Sequence, residues 1–183
     1  MDRDGVINVD TGYLCDNKKL QFISGSLEAM KILQKNGLTL VIVTNQSGLA
    51  RGYFSIGDFN SFMAYYFEKL TERGVEKPFL YFCPHHPNGI VESYSMECGC
   101  RKPLPGMFFQ AALDLKINLQ NSFLVGDNFT DIEAGSAAGI PNLFLITKGC
   151  ILENGNLKLN KTTRRFDSLL SVATSIISEL TRN

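Results

Sequence analysis

Apolar positions along the chain follow two spacings, one helical and one typical of buried strands. Residues 24–36 carry apolar side chains three and four positions apart, and Gly37, a common residue at helix ends, follows them. Residues 38–43 form a short apolar run rich in β-branched side chains, which is typical of a strand buried in a parallel sheet. These two segments therefore predict a helix followed by a buried strand.

The same succession of helix and strand continues along the chain. Strands that alternate with helices favour an α/β fold, here a Rossmann-like open parallel sheet with helices on both faces. In such sheets the ligand site lies at the carboxyl ends of the strands. The further predicted helices cover 57–73, a segment that begins at Pro105, 130–138 and 166–181, and the further predicted strands cover 79–82, 122–125 and 142–146.

Length and composition narrow the class of protein. The 183 residues include 18 basic and 18 acidic side chains, so the formal net charge is zero. We expect a single domain over 1–183, since this length suffices for a sizeable core and no repeat or linker divides it. Zero net charge argues against nucleic acid or an anionic membrane as the main partner, because both attract a concentrated basic field. With no apolar run near the roughly 20 residues of a membrane span, and no recognisable secretory signal, we expect a cytoplasmic protein. A monomer is the default expectation, since the sequence leaves the oligomeric state open.

The segment Asp2-Arg3-Asp4-Gly5 is the first candidate for chemistry. On its own, this pattern is more typical of a turn than of a catalytic site. A calcium-binding EF-hand loop is excluded, because the glycine falls at the wrong offset and no bidentate glutamate follows. The interpretation of this segment therefore depends on which other polar residues accompany it.

Polar residues at predicted strand ends accompany this segment. Thr44 closes one buried strand, and Lys102 precedes a proline at a helix start. Asp127 and Asp131 bracket a turn from strand to helix. The order Asp-x-Asp, Thr, Lys and Gly-Asp-x-x-x-Asp resembles the four motifs of the haloacid-dehalogenase-like (HAD-like) phosphatase superfamily. Each element is common alone, but all four in this order at strand ends are not.

That resemblance implies a specific chemistry. Asp2 would attack phosphorus to form an aspartyl-phosphate, while Asp4 would protonate the leaving alkoxide and then act as base on the water that cleaves the intermediate. Mg²⁺, a hard cation that prefers oxygen ligands, would be held by Asp2, the backbone carbonyl of Asp4 and Asp127. Thr44 and Lys102 would offer a hydroxyl group and a fixed positive charge to the phosphoryl oxygens.

A second candidate site is the cluster of cysteine and histidine in the middle of the chain. The sequence has five cysteines and two histidines, and both histidines lie beside Cys83. Cys83, His85, Cys98 and Cys100 supply three sulfurs and one imidazole, which matches a closed structural Zn²⁺ site. Free buried cysteines or a redox pair are the alternatives, although a Cys-x-Cys disulfide would be strained. We predict a zinc-stapled loop over 83–100.

Four segments narrow the resemblance further: Asp-Arg-Asp-Gly-Val-Ile-Asn, Thr-Asn-Gln-Ser-Gly-x-Ala-Arg-Gly, Cys-Pro-His-His-Pro and Cys-x-Cys-Arg-Lys-Pro. They resemble the D-glycero-D-manno-heptose 1,7-bisphosphate phosphatases, a capless branch whose sister group hydrolyses histidinol phosphate. The resemblance covers about residues 1–150 and leaves 151–183 without a motif. It implies removal of the C7 phosphate during synthesis of nucleotide-activated heptose for bacterial surface polysaccharide, with histidinol phosphate as the alternative substrate. It also implies that Asn45, Arg51 and Arg101 lie near the substrate, where a guanidinium group can bind a second phosphate bidentately.

Two features depart from the family pattern. Asn128 stands where the family usually has lysine, which removes a cation from the phosphate site and leaves the exact substrate open. Only Met1 precedes Asp2, whereas the family nucleophile follows a buried central strand of several apolar residues. We therefore expect that strand to be largely missing and Asp2 to be held poorly, and a catalytically inert zinc-stapled domain is the alternative. Asp131 is expected to orient Lys102 or a water on the metal.

Overall fold

The computed structural model describes residues 1–147 and 163–182. Cys150 lies outside the described residues, and so does part of the motif-free segment 151–183. The described residues form five helices, five strands and three short 3₁₀ turns. The helices are α1 (Ser26–Lys35), α2 (Ile56–Glu72), α3 (Gly106–Leu115), α4 (Phe129–Ala137) and α5 (Leu169–Leu180). The strands are β1 (Val41–Asn45), β2 (Phe79–Cys83), β3 (Phe123–Gly126), β4 (Asn142–Ile146) and β5 (Thr163–Phe166).

The strands form two parallel sheets, β1-β2 and β3-β4-β5, with Met1 and Asp2 between them. The Met1 amino group donates to the Val41 carbonyl at 2.8 Å, and the Met1 carbonyl accepts from Val43 N–H at 2.9 Å. On the other side, Asp2 N–H donates to the Val125 carbonyl at 2.9 Å. The prediction that Asp2 is poorly held is therefore wrong, although Met1 and Asp2 alone occupy the position of a central strand among the described residues.

Helices cover both faces of the sheets, as predicted. Successive side chains of a strand point to opposite faces, so a sheet with two apolar faces needs cover on both sides. Ile42 and Phe144 belong to an apolar cluster built with α1, α2 and α5. Their neighbours Val43 and Leu145 belong to a second cluster built with α3 and α4. Each fully buried side chain of this size contributes about 1.5–3 kcal/mol, so the two clusters hold the strand ends that carry the site.

One strand was not predicted from the sequence. β5 has the sequence Thr-Arg-Arg-Phe, in which charged residues replace the apolar run expected of a strand. The guanidinium group of Arg164 lies over the ring of Phe144, 4.4 Å from its centroid, and forms an ion pair with Glu179. Among the described residues β5 is an edge strand of its sheet, and charged side chains are common on edge strands because they discourage pairing with another chain.

The described elements all belong to this arrangement of sheets and flanking helices, and none of them forms a separate cap domain. None of the described helices combines the length and the apolar character needed to cross a bilayer. Parallel pairing brings the carboxyl ends of β1, β2 and β3 to one edge, where loops and the first turn of α4 meet. The polar residues singled out in the sequence lie at this edge.

Candidate functional site

A polar cleft of about 510 Å³ opens at the carboxyl ends of β1 and β3. Asp10, Gly12 and Tyr13 also line the cleft, and the sequence did not single them out. Tyr13 is 47% exposed, so its ring lies at the mouth of the cleft. The predicted site residues that line the cleft are Asp2, Asp4, Thr44, Asn45, Arg101, Lys102, Asp127 and Asp131.

Lys102 is the cation at the centre of this cleft. Its ammonium group lies 2.9 Å from Asp2 Oδ1 and 2.5 Å from Asp131 Oδ1, and it donates to the Val43 carbonyl at 2.7 Å. Burial favours the neutral amine, but the charges of Asp2 and Asp131 outweigh this effect and raise the pKa of Lys102. Lys102 therefore carries a positive charge between Asp2 and Asp131, and the orienting role of Asp131 stays a prediction.

Three carboxylates meet beside this lysine. One oxygen from each of Asp2, Asp127 and Asp131 lies within 4.8 Å of the others. Burial raises the pKa of Asp2 to about 6, with Lys102 opposing the shift. Partial desolvation, followed by the neighbouring charges of Asp2 and Asp131, raises the pKa of Asp127 to about 7. Oxygen ligands that repel one another in this way are the set that a hard divalent cation such as Mg²⁺ stabilises.

Two glycines make room for these acidic side chains. A Cβ atom on Gly5 would lie 1.7 Å from Asp127 Oδ2, and the φ of Gly5 is +78°. A Cβ atom on Gly126 would lie 2.3 Å from the Cβ of Asp131. Both distances are far inside van der Waals contact, so any side chain at either position would displace a carboxylate of the cleft.

Asp4 is held by residues that the sequence did not single out. Arg3 Nη2 donates to Asp4 Oδ2 at 2.8 Å, and Asn8 Nδ2 donates to Oδ1 at 2.8 Å. Gln46 Nε2 donates to Asp4 Oδ2 at 3.1 Å and to Thr44 Oγ1 at 2.9 Å. Arg3 and Asn8 are fully buried and Gln46 is nearly so. Asn8 stands between the apolar residues Ile7 and Val9, and this was an available signal, whereas Arg3 and Gln46 are flanked by other polar residues and gave none.

Asn45 and Arg101, both predicted to lie near the substrate, form hydrogen bonds to the backbone of the segments beside the cleft. Asn45 Nδ2 donates to the Lys102 carbonyl at 3.1 Å, and its Oδ1 accepts from Lys102 N–H at 3.1 Å. This reciprocal pair fixes the backbone of the lysine to the end of β1. Arg101 Nη1 donates to the His85 carbonyl at 3.3 Å, and the side chain lines the cleft.

Arg51 is placed differently from the other predicted substrate residues. It is not among the described residues that line the cleft. Its Nη2 lies 3.0 Å from His86 Nε2, and its guanidinium carbon lies 6.0 Å from the centroid of the Tyr13 ring. Arg51 therefore lies beside Tyr13 and His86, and its predicted position near the substrate stays a prediction.

Asn128, which stands where the family usually has lysine, caps helix α4. Its Oδ1 accepts from Thr130 N–H at 3.1 Å, and its own N–H donates to Asp131 Oδ2 at 3.1 Å. This capping box satisfies amides of the first helical turn that would otherwise lack partners. Asn128 thus fixes Asp131, which in turn contacts Lys102.

The four predicted zinc ligands lie together beside the cleft. The sulfurs of Cys83, Cys98 and Cys100 are 3.2–3.5 Å apart, and His85 Nδ1 lies 3.4 Å from the Cys100 sulfur. No disulfide joins them, since a disulfide bond is about 2.05 Å long. Zn–S bonds of about 2.3 Å around a tetrahedral ion require sulfurs at a similar spacing, so this donor set fits Zn²⁺.

Sequence comparison gives relatives for most of the chain. Residues 99–153 match the HAD-hydrolase-like family. The chain is 46% identical over 149 residues to the D-glycero-beta-D-manno-heptose-1,7-bisphosphate 7-phosphatase of Yersinia pestis, which covers 81% of this chain and 79% of that protein. It is 47% identical over 149 residues to the protein of the same name from Vibrio cholerae, covering 81% of this chain and 80% of that protein.

Solved structures agree with the sequence comparison. The D,D-heptose 1,7-bisphosphate phosphatase from B. bronchiseptica, crystallised with magnesium and phosphate, superposes with a TM-score of 0.82 at 32% identity. The match covers 97% of this chain and 96% of that one. A HAD-like phosphatase from Mesorhizobium loti superposes with a TM-score of 0.83 at 33% identity, over 98% of this chain and 84% of that one. The α/β fold is thus shared over nearly all of the chain.

Proposed function

Because the chain belongs to the D-glycero-β-D-manno-heptose-1,7-bisphosphate 7-phosphatase family, we propose that it hydrolyses the C7 phosphate of this sugar bisphosphate. The observation that carries the proposal is the convergence of Asp2, Asp127 and Lys102 in one cleft, beside Asp4 and Thr44. The pathway we propose is the synthesis of nucleotide-activated heptose for bacterial surface polysaccharide.

The first step transfers the phosphoryl group to Asp2. Lys102 contacts Oδ1 of this carboxylate at 2.9 Å, and a carboxylate oxygen of Asp2 attacks phosphorus. As the bond between phosphorus and the C7 oxygen breaks, Asp4 donates a proton to the leaving alkoxide. In the second step Asp4 takes a proton from water, whose oxygen attacks the aspartyl-phosphate. Inorganic phosphate leaves and the carboxylate of Asp2 is restored.

Positive charge and hydroxyl groups stabilise the phosphoryl oxygens during both steps. Lys102 is buried and paired, so its charge is fixed before substrate binds, and it needs little reorganisation. Thr44 is buried at the end of β1, and Gln46 donates to its hydroxyl oxygen, which leaves the hydroxyl hydrogen free to donate to a phosphoryl oxygen. Asp2, Asp127 and the backbone carbonyl of Asp4 would hold Mg²⁺, which supplies the charge that lets two anions meet.

The cysteine and histidine cluster has a structural part in this proposal. Cys83, His85, Cys98 and Cys100 would hold Zn²⁺ with all four positions filled by protein, which leaves no open position for chemistry. The loop between β2 and α3 contains only a short 3₁₀ turn, Glu92–Tyr94, so the ion would replace an apolar core.

Replacing the proposed nucleophile tests the function. We expect Asp2→Asn to lower kcat for release of phosphate from heptose 1,7-bisphosphate by more than about 1,000-fold, because an amide cannot form the covalent intermediate. The matched control is Asp114→Asn, an exposed residue outside the cleft, which should stay within about twofold of the unmodified protein. Full activity of Asp2→Asn would refute the mechanism. A higher kcat/KM for histidinol phosphate than for the heptose bisphosphate would refute the substrate.

A further inference from the structure

Gln46 lines the polar cleft one residue beyond the end of β1, and it is only 3% exposed. Its backbone N–H donates at 2.8 Å to the carbonyl of Cys83, the last residue of β2. Its backbone carbonyl accepts from Leu49 N–H at 3.2 Å. The backbone of Gln46 is therefore fixed at the carboxyl ends of two neighbouring strands, and its buried side chain extends from a defined position.

The side-chain amide of Gln46 contacts two groups that the proposed reaction uses. Its nitrogen carries two hydrogens, and it donates to Asp4 Oδ2 at 3.1 Å and to Thr44 Oγ1 at 2.9 Å. Its oxygen accepts from Arg3 Nη2 at 3.4 Å, and this contact distinguishes the amide oxygen from the nitrogen because a guanidinium group has only donors. One amide group thus connects the proposed proton donor to the proposed phosphate-binding hydroxyl.

Asp4 and Thr44 belong to different segments of the chain, and Gln46 joins them. Among the residues that the structure describes, Gln46 is the one whose side chain donates to both. Arg3 and Asn8 also donate to Asp4, but both belong to the same loop as Asp4. Without the amide of Gln46, Asp4 would keep these two partners and lose its fixed position relative to Thr44.

The proposed reaction requires both groups to act on one phosphate ester. The Thr44 hydroxyl donates to a phosphoryl oxygen, and Asp4 must reach the leaving oxygen on the same phosphorus. Proton transfer needs the two heavy atoms about 2.6–3.2 Å apart, and a displacement of about 1 Å in a reacting arrangement can cost about 100-fold in rate. The separation of Asp4 and Thr44 therefore bears directly on the rate of phosphoryl transfer.

We propose that Gln46 is a positioning residue of the phosphatase reaction, and that its amide sets the Asp4 carboxyl group and the Thr44 hydroxyl group in the arrangement that one phosphate ester needs. This role rests on the proposed function, because it belongs to the same reaction. Gln46 acts through Asp4 and Thr44 and does not itself react.

Gln46→Met tests the role, because methionine has a similar length and no hydrogen-bond donor. The measured quantity is kcat/KM in saturating Mg²⁺, which reports the steps up to release of the leaving group. Heptose 1,7-bisphosphate releases an alkoxide that needs the proton of Asp4, whereas p-nitrophenyl phosphate releases a phenolate that leaves without one. We expect kcat/KM to fall about 100-fold for the heptose bisphosphate and about 10-fold for the aryl phosphate, since Thr44 serves both substrates and Asp4 only the first.

Two further variants control for the size and the place of the substitution. Gln110→Met makes the same change at an exposed glutamine that donates to Asp114 outside the cleft, and both kcat/KM values should stay within about twofold. Gln46→Glu keeps the size of the side chain, and at about pH 8 its carboxylate donates nothing, so the same difference between the substrates is expected. A loss of folded protein would lower both kcat/KM values by the same factor, so the difference between them does not depend on stability.

Two outcomes would overturn the role of Gln46 while leaving the proposed function intact. One is a Gln46→Met protein whose kcat/KM values match those of the unmodified protein. The other is an equal loss for both substrates, which would mean that Gln46 does not act through Asp4. Failure of the unmodified protein to release phosphate from heptose 1,7-bisphosphate would instead refute the proposed function, and the role of Gln46 would fall with it.

Discussion

At the scale of single residues, the site depends on how closely the carboxylates of the cleft pack against the backbone of neighbouring glycines. Gly5 has no side chain, and Asp127 occupies the space that one would fill. We expect Gly5→Ala to lower phosphatase kcat by more than about 100-fold and to weaken Mg²⁺ binding, because the methyl group displaces a proposed metal ligand. Enzyme assays over a Mg²⁺ titration measure both effects.

The control for this substitution separates crowding from backbone strain. Gly37 has a φ of +80°, nearly that of Gly5, but an added Cβ there would meet nothing within 4 Å. Gly37→Ala therefore carries the cost of the left-handed conformation, about 1 kcal/mol, without the clash. Equal losses of activity in Gly5→Ala and Gly37→Ala would contradict the role assigned to Gly5.

Residue patterns predicted the reacting groups better than the groups that hold them. Asp2 and Lys102 stand in recognisable motifs, because phosphoryl transfer needs a nucleophile and a cation at strand ends. Arg3, Asn8 and Gln46 lie in the same motifs, but their contacts with Asp4 and Thr44 depend on how two loops fold against each other. The spacing of residues along the chain does not predict how these two loops pack against each other.

At the scale of elements, the zinc-stapled loop gives the sharpest test. We expect about one tightly bound zinc ion per chain, measured by elemental analysis. Cys98→Ser removes one of four ligands, and we expect it to lose the zinc and to lower Tm by about 10 °C or more, because structural zinc contributes about 10–16 kcal/mol of apparent binding free energy in small domains.

Cys15 supplies the matched control for the zinc prediction. It is a partly buried free cysteine outside the cluster, so Cys15→Ser tests the loss of a thiol without the loss of a ligand. We expect this variant to keep its zinc. The zinc prediction would be rejected if the unmodified protein held no zinc and Cys98→Ser kept the Tm of the unmodified protein. The four proposed ligands would then be free side chains.

The elements predicted from the sequence are those whose buried side chains give a regular pattern of apolar residues along the chain. The strand predicted over 142–146 has those bounds in the structure, since four of its five side chains are buried. The strand predicted over 38–43 lies at Val41–Asn45 in the structure. Its last two residues, Thr44 and Asn45, are polar, and a prediction based on an apolar run stops before them. β5 escaped prediction because pairing with β4, and not an apolar pattern, makes it a strand.

At the scale of the whole molecule, the acidic cleft makes stability depend on pH. The pKa of Asp127 is raised from 3.8 to about 7 and that of Asp2 from 3.8 to about 6. Between the ordinary pKa of 3.8 and these raised values, the folded protein holds protons that the unfolded chain has already released. Folding is therefore favoured at the lower pH. We expect the unfolding free energy in Mg²⁺-free buffer to fall as pH rises from about 4 to about 6, as measured by urea denaturation. Above about pH 6 the buried Met1 amino group, whose pKa is lowered from 8.0 to about 6, opposes this fall.

Two variants separate this effect from the rest of the charge on the protein. Asp127→Asn removes the largest contributor, so its unfolding free energy should fall less steeply with pH than that of the unmodified chain. Asp114→Asn should follow the unmodified chain. We also expect Mg²⁺ to raise Tm more at about pH 8 than at about pH 5, since carboxylates bind the ion when ionised. A Mg²⁺ effect that is the same at both values would contradict the assignment of Asp2 and Asp127 as ligands.

The reciprocal bonds between Asn45 and Lys102 have a consequence for how this enzyme would respond to nutrient supply. Lys102 follows the proposed zinc ligand Cys100 by two residues, so loss of order in the loop would act directly on the backbone that Asn45 holds to β1. A cell starved of zinc would then lose turnover of this enzyme although its magnesium is plentiful. In a screen scored by activity alone, substitutions of the cysteines would be classed with those of Asp2, and only metal analysis would tell the two groups apart.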